Sequence, residues 1–301
     1  MSYRLAERFN KTFLLKIVGL LAVLLFAAPY VFGDRAYLTS VSFLAASIAN
    51  ATAVGGGFLF MPLFIYVYKL APVVALKLSI ATQAFGMTSG ALGWGRRFID
   101  MQAFSVASVA SIIGVWFASF VWVVPSSYIK PLFALISLGV FIALVLEMRY
   151  KEANAEGCFS FSRSYSIGFF IIAAFAGGLI TGWTAIGVGE VVALYLLFVY
   201  RLKVDVAIAT GVAVLAVSSI AGFVFHIIIG GIPWYLLAFT VPGVILGGRY
   251  GAKFAINIES RVKASKARDT ETASPLKLFF AGVILLDCIV ILLSEIAIKS
   301  V

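Results

Sequence analysis

The chain has 301 residues, of which 62% are hydrophobic and 12% charged, with a mean hydropathy of +1.08. A soluble fold of this length cannot bury so much apolar surface, so the class is an all-α polytopic membrane protein. The formal net charge of +10 is placed at the ends of apolar segments, the distribution of a topology signal and of lipid-headgroup contact, which excludes nucleic acid as a partner.

The first apolar run, 13–32, follows the basic start "MSYRLAERFNK". It is long for a signal-peptide core and ends in no A-x-A-like site, so an uncleaved span is expected. Further runs occupy 38–53, 56–70, 72–94, 101–124, 129–149, 165–183, 186–200, 204–229, 232–254 and 276–297. A straight crossing needs roughly 20 residues. The pairs 38–53/56–70 and 165–183/186–200 each contain a short member and a glycine motif at the junction, so both are expected as broken or re-entrant helices. With the N-terminus inside and the chain alternating, Arg4, Arg8, Lys11, Lys16, Arg96, Arg97, Arg149, Lys151, Arg163, Arg201, Lys203 and seven more between Arg249 and Lys277 fall inside. That is 18 of the 23 basic residues, a strong positive-inside bias that puts the C-terminus outside. Cys158 and Cys288 suggest neither a disulfide framework nor a metal site, and the single His226 is assigned no role.

Sliding the chain against itself by 132 positions superimposes the two interrupted regions without a gap. "TAVGGGFLFMPLFIYVYKL" (52–70) falls on "TAIGVGEVVALYLLFVYRL" (184–202). Thr52 meets Thr184, Gly55 meets Gly187, Gly57 meets Gly189, and Tyr68-Lys69-Leu70 meets Tyr200-Arg201-Leu202. Farther on, Ala75, Ala81, Ala84 and Gly90 meet Ala207, Ala213, Ala216 and Gly222. Each copy holds five segments, an odd number of parity changes, so the second copy is expected upside down relative to the first. The expected organisation is an extra N-terminal helix (1–37), a first repeat (38–149), a cytoplasmic linker (150–164) and a second, inverted repeat (165–301). Inverted repeats with discontinuous helices are an architecture of secondary transporters, whose substrate sits where the breaks meet.

The early "GGGFLFMP", the second G-x-G copy and the late "VPGVILGGRYGAKFA" resemble the TauE/SafE family of sulfite and organosulfonate exporters over roughly 40–297. The resemblance implies transport of a small sulfur-containing anion, such as sulfite, sulfoacetate or a thiosulfate-like species, with the proton gradient as driver. The second copy departs from the richer glycine pattern: Val188 and Glu190 stand where the first has Gly56 and Phe58.

Two readings fit the glycines Gly55, Gly56, Gly57, Gly187 and Gly189. Small residues let membrane helices approach closely. Alternatively, N–H groups freed at a helix break hold an anion, aided by the helix dipole; the duplication favours this second reading. The hydroxyls of Thr52 and Thr184 lie one turn earlier and are candidate donors. Glu190 stands 11 residues before Arg201, about 16 Å deep in a core of about 30 Å, where an ionisable group is functional by default. It is the first candidate for proton coupling, against a neutral Glu bonded to helix carbonyls. Asp287, 10 residues after Lys277 and about 15 Å deep by the same rise, is the second; Glu147 and Glu295 lie near helix ends. Gln83 is the most informative of the polar residues after the breaks, a group that also contains Ser79, Thr82, Thr88, Thr210, Ser218 and Ser219. Lys77 either snorkels to the interface or draws an anion inward.

The expected function is therefore a secondary transporter, an exporter of a small sulfur anion by alternating access in a prokaryotic plasma membrane. A passive anion channel is the alternative. An intramembrane enzyme acting on a lipid or phosphorylated substrate is disfavoured, since no nucleophile–base pair and no H-E-x-x-H motif occurs. Expected partners are the anion, protons and lipid, with a homo-oligomer left open and no cofactor or metal.

Overall fold

Proline, glycine and one acidic cap set most helix boundaries. A computed structural model of the protein describes residues 36–53, 55–149, 159 and 164–266. The expected helix 13–32, most of the linker 150–164, the last run 276–297 with Asp287 and Glu295, both cysteines and both termini lie outside the described residues. Among those described there are nine helices and no strand. They are α1 (Ala36–Thr52), α2 (Gly57–Val67), α3 (Pro72–Trp94), α4 (Met101–Phe120), α5 (Ser126–Arg149), α6 (Ser164–Thr184), α7 (Val188–Phe198), α8 (Val204–Ile229) and α9 (Trp234–Lys266).

Pro72 opens α3 at a position where its missing N–H costs nothing, and Gly95 closes it at φ 78°. Asp100 caps α4 by accepting from the backbone N–H groups of Gln102 and Ala103. Gly230, at φ 80°, ends α8. The helix α9 runs 33 residues, farther than the apolar stretch 232–254 suggested. Its last turns, "AINIESRVKASK", are polar but rich in good helix formers, so propensity carries the helix on after hydropathy has ended. At about 1.5 Å per residue it is about 50 Å long and outruns a bilayer core.

Met101–Phe120, Ser166–Thr184 and Val204–Ile229 are long and apolar enough to cross a membrane. The short helices α2 and α7 span 11 residues each, about 16 Å, half the thickness of a bilayer core. Toward its end α2 loosens from α-helix into a π turn over Leu63–Val67.

Among the described helices, the main packing pairs recur when each helix is exchanged for the one 132 residues away. The pair α1–α9 corresponds to α6–α4, α9–α3 corresponds to α4–α8, α2–α3 corresponds to α7–α8, and α3 packs on α8 in the centre. Local backbone obeys the same exchange. The non-glycine residues with positive φ among the described residues are Ala53 (62°) with Ala185 (61°), and Lys69 (53°) with Arg201 (53°). The N–H of Leu70 donates to Phe64 O at 3.0 Å, and that of Leu202 donates to Leu196 O at 3.0 Å. Left-handed backbone is disfavoured for residues with a Cβ, so its recurrence at matched positions points to a shared local geometry.

Glycines set the closest helix pairs. Gly243, Gly247 and Gly251 of α9 lie against the backbone of α1 at Thr39, Phe43 and Ser47, and Gly114 and Gly178 join α4 to α6 in the same manner. A methyl group at Gly247 would fall on the carbonyl of Phe43. Gly247→Ile is therefore expected to destabilise the detergent-solubilised protein by about 1–3 kcal/mol or more, the usual cost of overpacking. Gly139 on α5 has nothing within 4 Å of where a Cβ would stand, and Gly139→Ala should leave the melting temperature level or higher. Equal melting temperatures for the two variants would refute this packing account.

Candidate functional site

A helix that breaks in an apolar layer exposes N–H groups with no water to satisfy them. Here two breaks meet. The first runs from Thr52 through Ala53 and the glycines to the start of α2; the second runs from Thr184 through Ala185 and Gly187 (φ 128°) to the start of α7. The last glycine of each motif faces the alanine of the other: a Cβ on Gly57 would overlap the carbonyl of Ala185, and one on Gly189 would stand 2.7 Å from the carbonyl of Ala53. Gly57 and Gly189 thus serve close approach, the packing role. Gly56, beside the Phe60 ring, caps α2.

Gly55 and Gly187 do something else. The Gly55 N–H donates to Glu190 Oε1 at 2.6 Å, and the Gly187 N–H donates to Glu190 Oε2 at 3.0 Å. The Gly187 bond is local: Glu190 is the third residue of α7 and folds back on the residue that caps it, half of a capping box. The Gly55 bond spans 135 residues. One carboxyl group, 3% exposed, therefore joins equivalent amides of the two breaks with its two oxygens, and both oxygens accept, contacts that are strongest when the group is ionised.

Gln83 completes the arrangement. Its Oε1 accepts from the Gly57 N–H at 3.0 Å, and its Nε2 donates to Ser219 Oγ on α8 at 2.8 Å. The donor and acceptor ends of this buried amide are thus both used. The counterpart of Gln83 is Leu215, whose side chain lies against Gly189. Thr181 supplies a bond the sequence reading did not single out: its Oγ1 accepts from the Val188 N–H at 3.0 Å. It stands one turn before Thr184 on the same helix, and that spacing is the signal that would have revealed it.

The remaining candidates lie elsewhere. Thr52 and Thr184 turn their hydroxyls back to the carbonyls of Ile48 and Ile180, each at 2.8 Å. Lys77 donates to Gly230 O at 2.7 Å, at the turn after α8, and not to the breaks. Thr82 bonds Thr240 of α9, Ser218 bonds Ser111 of α4, and Thr88 bonds its own helix at Ala84. Thr210 accepts from the Asp100 N–H, and the Ser79 hydroxyl is buried. The hydroxyls of Thr82, Ser218 and Thr210 thus tie separate elements together. No cluster of His, Cys, Asp and Glu able to hold a metal occurs among the described residues.

Glycine-motif breaks joined in this manner lie within a region that matches a known family: the model described as "Sulfite exporter TauE/SafE" covers residues 38–267. The chain belongs to the TauE/SafE family. The resemblance carried by "GGGFLFMP" and "VPGVILGGRYGAKFA" is thereby established. From Bacillus subtilis (strain 168), "Probable membrane transporter protein YunE" is 25% identical over 253 residues, covering 75% of this chain and 89% of the relative. "Probable membrane transporter protein YdhB" from the same strain is 24% identical over 223 residues, 71% of this chain and 87% of the relative. No solved structure matches the chain. The protein is thus a TauE/SafE-family membrane transporter, an integral membrane protein with apolar helices long enough to cross.

The amide network of this TauE/SafE member makes a direct prediction. Gln83→Leu leaves the buried Gly57 N–H without its acceptor, a loss of about 1–3 kcal/mol. Ser219→Ala removes only the far end of the chain of bonds and should cost less. Thermal unfolding in detergent ranks the two, and a Ser219→Ala loss equal to or larger than that of Gln83→Leu would contradict the assignment.

Proposed function

We propose that the protein carries a small sulfur oxyanion or organosulfonate, such as sulfite or sulfoacetate, across a prokaryotic plasma membrane by alternating access, with export as its working direction. The observation that supports this reading is the Glu190 carboxylate itself, whose two oxygens accept from Gly55 and Gly187. Two amides that hold two oxygens on one carbon are suited to two oxygens on one sulfur. In this reading the N–H groups of Gly55 and Gly187 hold the anion, Gly56, Gly57 and Gly189 shape the crossing around it, Gln83 orients it, and Glu190 handles the coupled proton. Asp287 remains a second candidate for the proton, and Lys77 for drawing anions to the mouth of the path.

The helix-exchange pattern and the paired left-handed residues support two repeats, and the parity of the segments with the positive-inside bias supports their opposite orientation, with the breaks entering from opposite sides and the N-terminus cytoplasmic. Motion of α2 and α7 against the longer helices then opens the site to one side at a time. The crossing favours a carrier over a passive channel. Glycines and alanines there are in van der Waals contact, so a path opens only when the halves move. Lipid covers the outward apolar side chains, such as Leu44, Val109, Leu135 and Ile172.

Reconstitution into liposomes tests the reading. Sulfite or sulfoacetate should move faster than in protein-free liposomes. Chloride, a single atom that cannot bridge both amides, should move about tenfold or more slower, the equivalent of one lost charge-assisted bond. Flux of neither sulfur anion above that in protein-free liposomes would refute the function, and equal rates for chloride and sulfoacetate would refute bridging recognition.

A further inference from the structure

We infer that the Glu190 carboxylate is a tethered stand-in for the transported anion, so that anion and proton cross together in the same direction. This rests on the transporter reading above and adds the sign of its coupling. The geometry makes Glu190 and a substrate mutually exclusive. Around the place where a Cβ of Gly55 would stand, Ala185 O, Gln83 Oε1 and Glu190 Oε1 all lie within 3.4 Å, so no further acceptor fits beside them. An anion reaches the Gly55 N–H only after Glu190 has left it.

The two bonds of Glu190 differ in what it takes to break them. Its link to Gly187 lies within one helical turn and travels with α7, whereas its link to Gly55 joins the two breaks. Displacement therefore begins at the Gly55 bond, and the local one follows as the second oxygen of the anion takes the Gly187 amide. Among the described residues, no cation faces the displaced carboxylate. Thr181 and Thr184 lie on α6, Gln83 on α3, Ser219 on α8, and the direct partners of the carboxylate are backbone N–H groups. Tyr195, farther along α7, donates to Ser166 O. Asp205 lies in the first turn of α8 and His226 in its last. On neighbouring helices, Lys77 is held at Gly230, Asp100 caps α4 and Lys130 lies over the Tyr66 ring. None of these bears on the Glu190 carboxylate.

An ionised Glu190 beside a bound anion would weaken binding on the order of a thousandfold, from two unit charges about 4 Å apart at an effective dielectric of about 20. A proton removes that repulsion. The exchange balances: the carboxylate leaves the amides and binds a proton from the open side, and the anion takes its place on them. A monoanion leaves the charge of the site unchanged, whereas the dianion sulfoacetate makes it one unit more negative, so that each sulfoacetate cycle moves one net negative charge. Proton and anion then leave together on the other side, and the carboxylate returns to Gly55. An inward proton gradient consequently opposes export, and outward flux follows the anion's own gradient and the membrane potential.

The test uses the full chain in liposomes holding a trapped pH dye, with the membrane potential clamped by potassium and valinomycin. Sulfoacetate is supplied outside with no pH gradient. The expected result is that the lumen acidifies as sulfoacetate enters, by about one proton per anion, the stoichiometry of a single linked site. Uptake with constant or rising lumen pH overturns the inference and leaves the transporter reading in place, while no uptake overturns both. Glu190→Gln keeps an acceptor oxygen but cannot exchange a proton, so the anions it still carries should enter without acidification. If that variant acidifies the lumen as wild type does, the proton rides on another group and the inference fails. The wild-type measurement decides the matter even if the variant does not fold.

Discussion

A backbone N–H freed inside an apolar layer must find an acceptor within the protein, because a buried unpaired amide costs as much as a lost hydrogen bond. That demand organises the centre of this molecule. Two helices stop short at Thr52 and Thr184 and resume after their glycines, and each interruption leaves donors to be satisfied. Glu190, Gln83 and Thr181 supply acceptors to Gly55, Gly187, Gly57 and Val188. The Gly55 bond requires the two breaks to cross at contact distance, which Gly57 and Gly189 permit by lacking a side chain. The outer pairs α1–α9 and α4–α6, joined through their own glycines, hold the crossing in place.

The crossing is symmetric in backbone and asymmetric in side chains. Gly55 and Gly187 occupy equivalent positions, yet a single carboxylate serves both. Its counterpart is Phe58, which packs edge-on against the Phe133 ring. Gln83 likewise faces Leu215 across the exchange, a polar side chain in one half against an apolar one in the other. The matched backbone thus offers two sets of donors, and the acceptors are divided between the halves: Gln83 in one, Glu190 and Thr181 in the other. A carboxyl group shared between the two breaks ties them only while its oxygens remain on both amides.

Much of the helical layout was legible because it follows local rules. Pro72 and Gly230 marked the ends of α3 and α8, and the 132-residue offset of the glycine motifs matched the paired backbone at Ala53 and Ala185. The family, too, was readable from the motifs. The polar end of α9 was not, because hydropathy does not report the propensity that extends it. Within the site, Glu190 and Gln83 stood out as polar groups in apolar runs, but their partners did not. The Gly55 bond depends on a crossing 135 residues apart in sequence, which no spacing rule predicts. The hydroxyls of Thr52 and Thr184 looked like donors to a ligand, yet in a helix the nearest acceptor is the carbonyl one turn back, and that is where they go.

The central claim is that one carboxylate and the transported anion compete for the same amides, with a proton settling the exchange. Infrared difference spectroscopy on the purified protein, recorded as sulfoacetate is added at constant pH, tests it at the group itself. The account predicts loss of a carboxylate band and appearance of a protonated carboxyl carbonyl band, both absent in Glu190→Gln. Binding of sulfoacetate with the wild-type carboxylate band unchanged would contradict it.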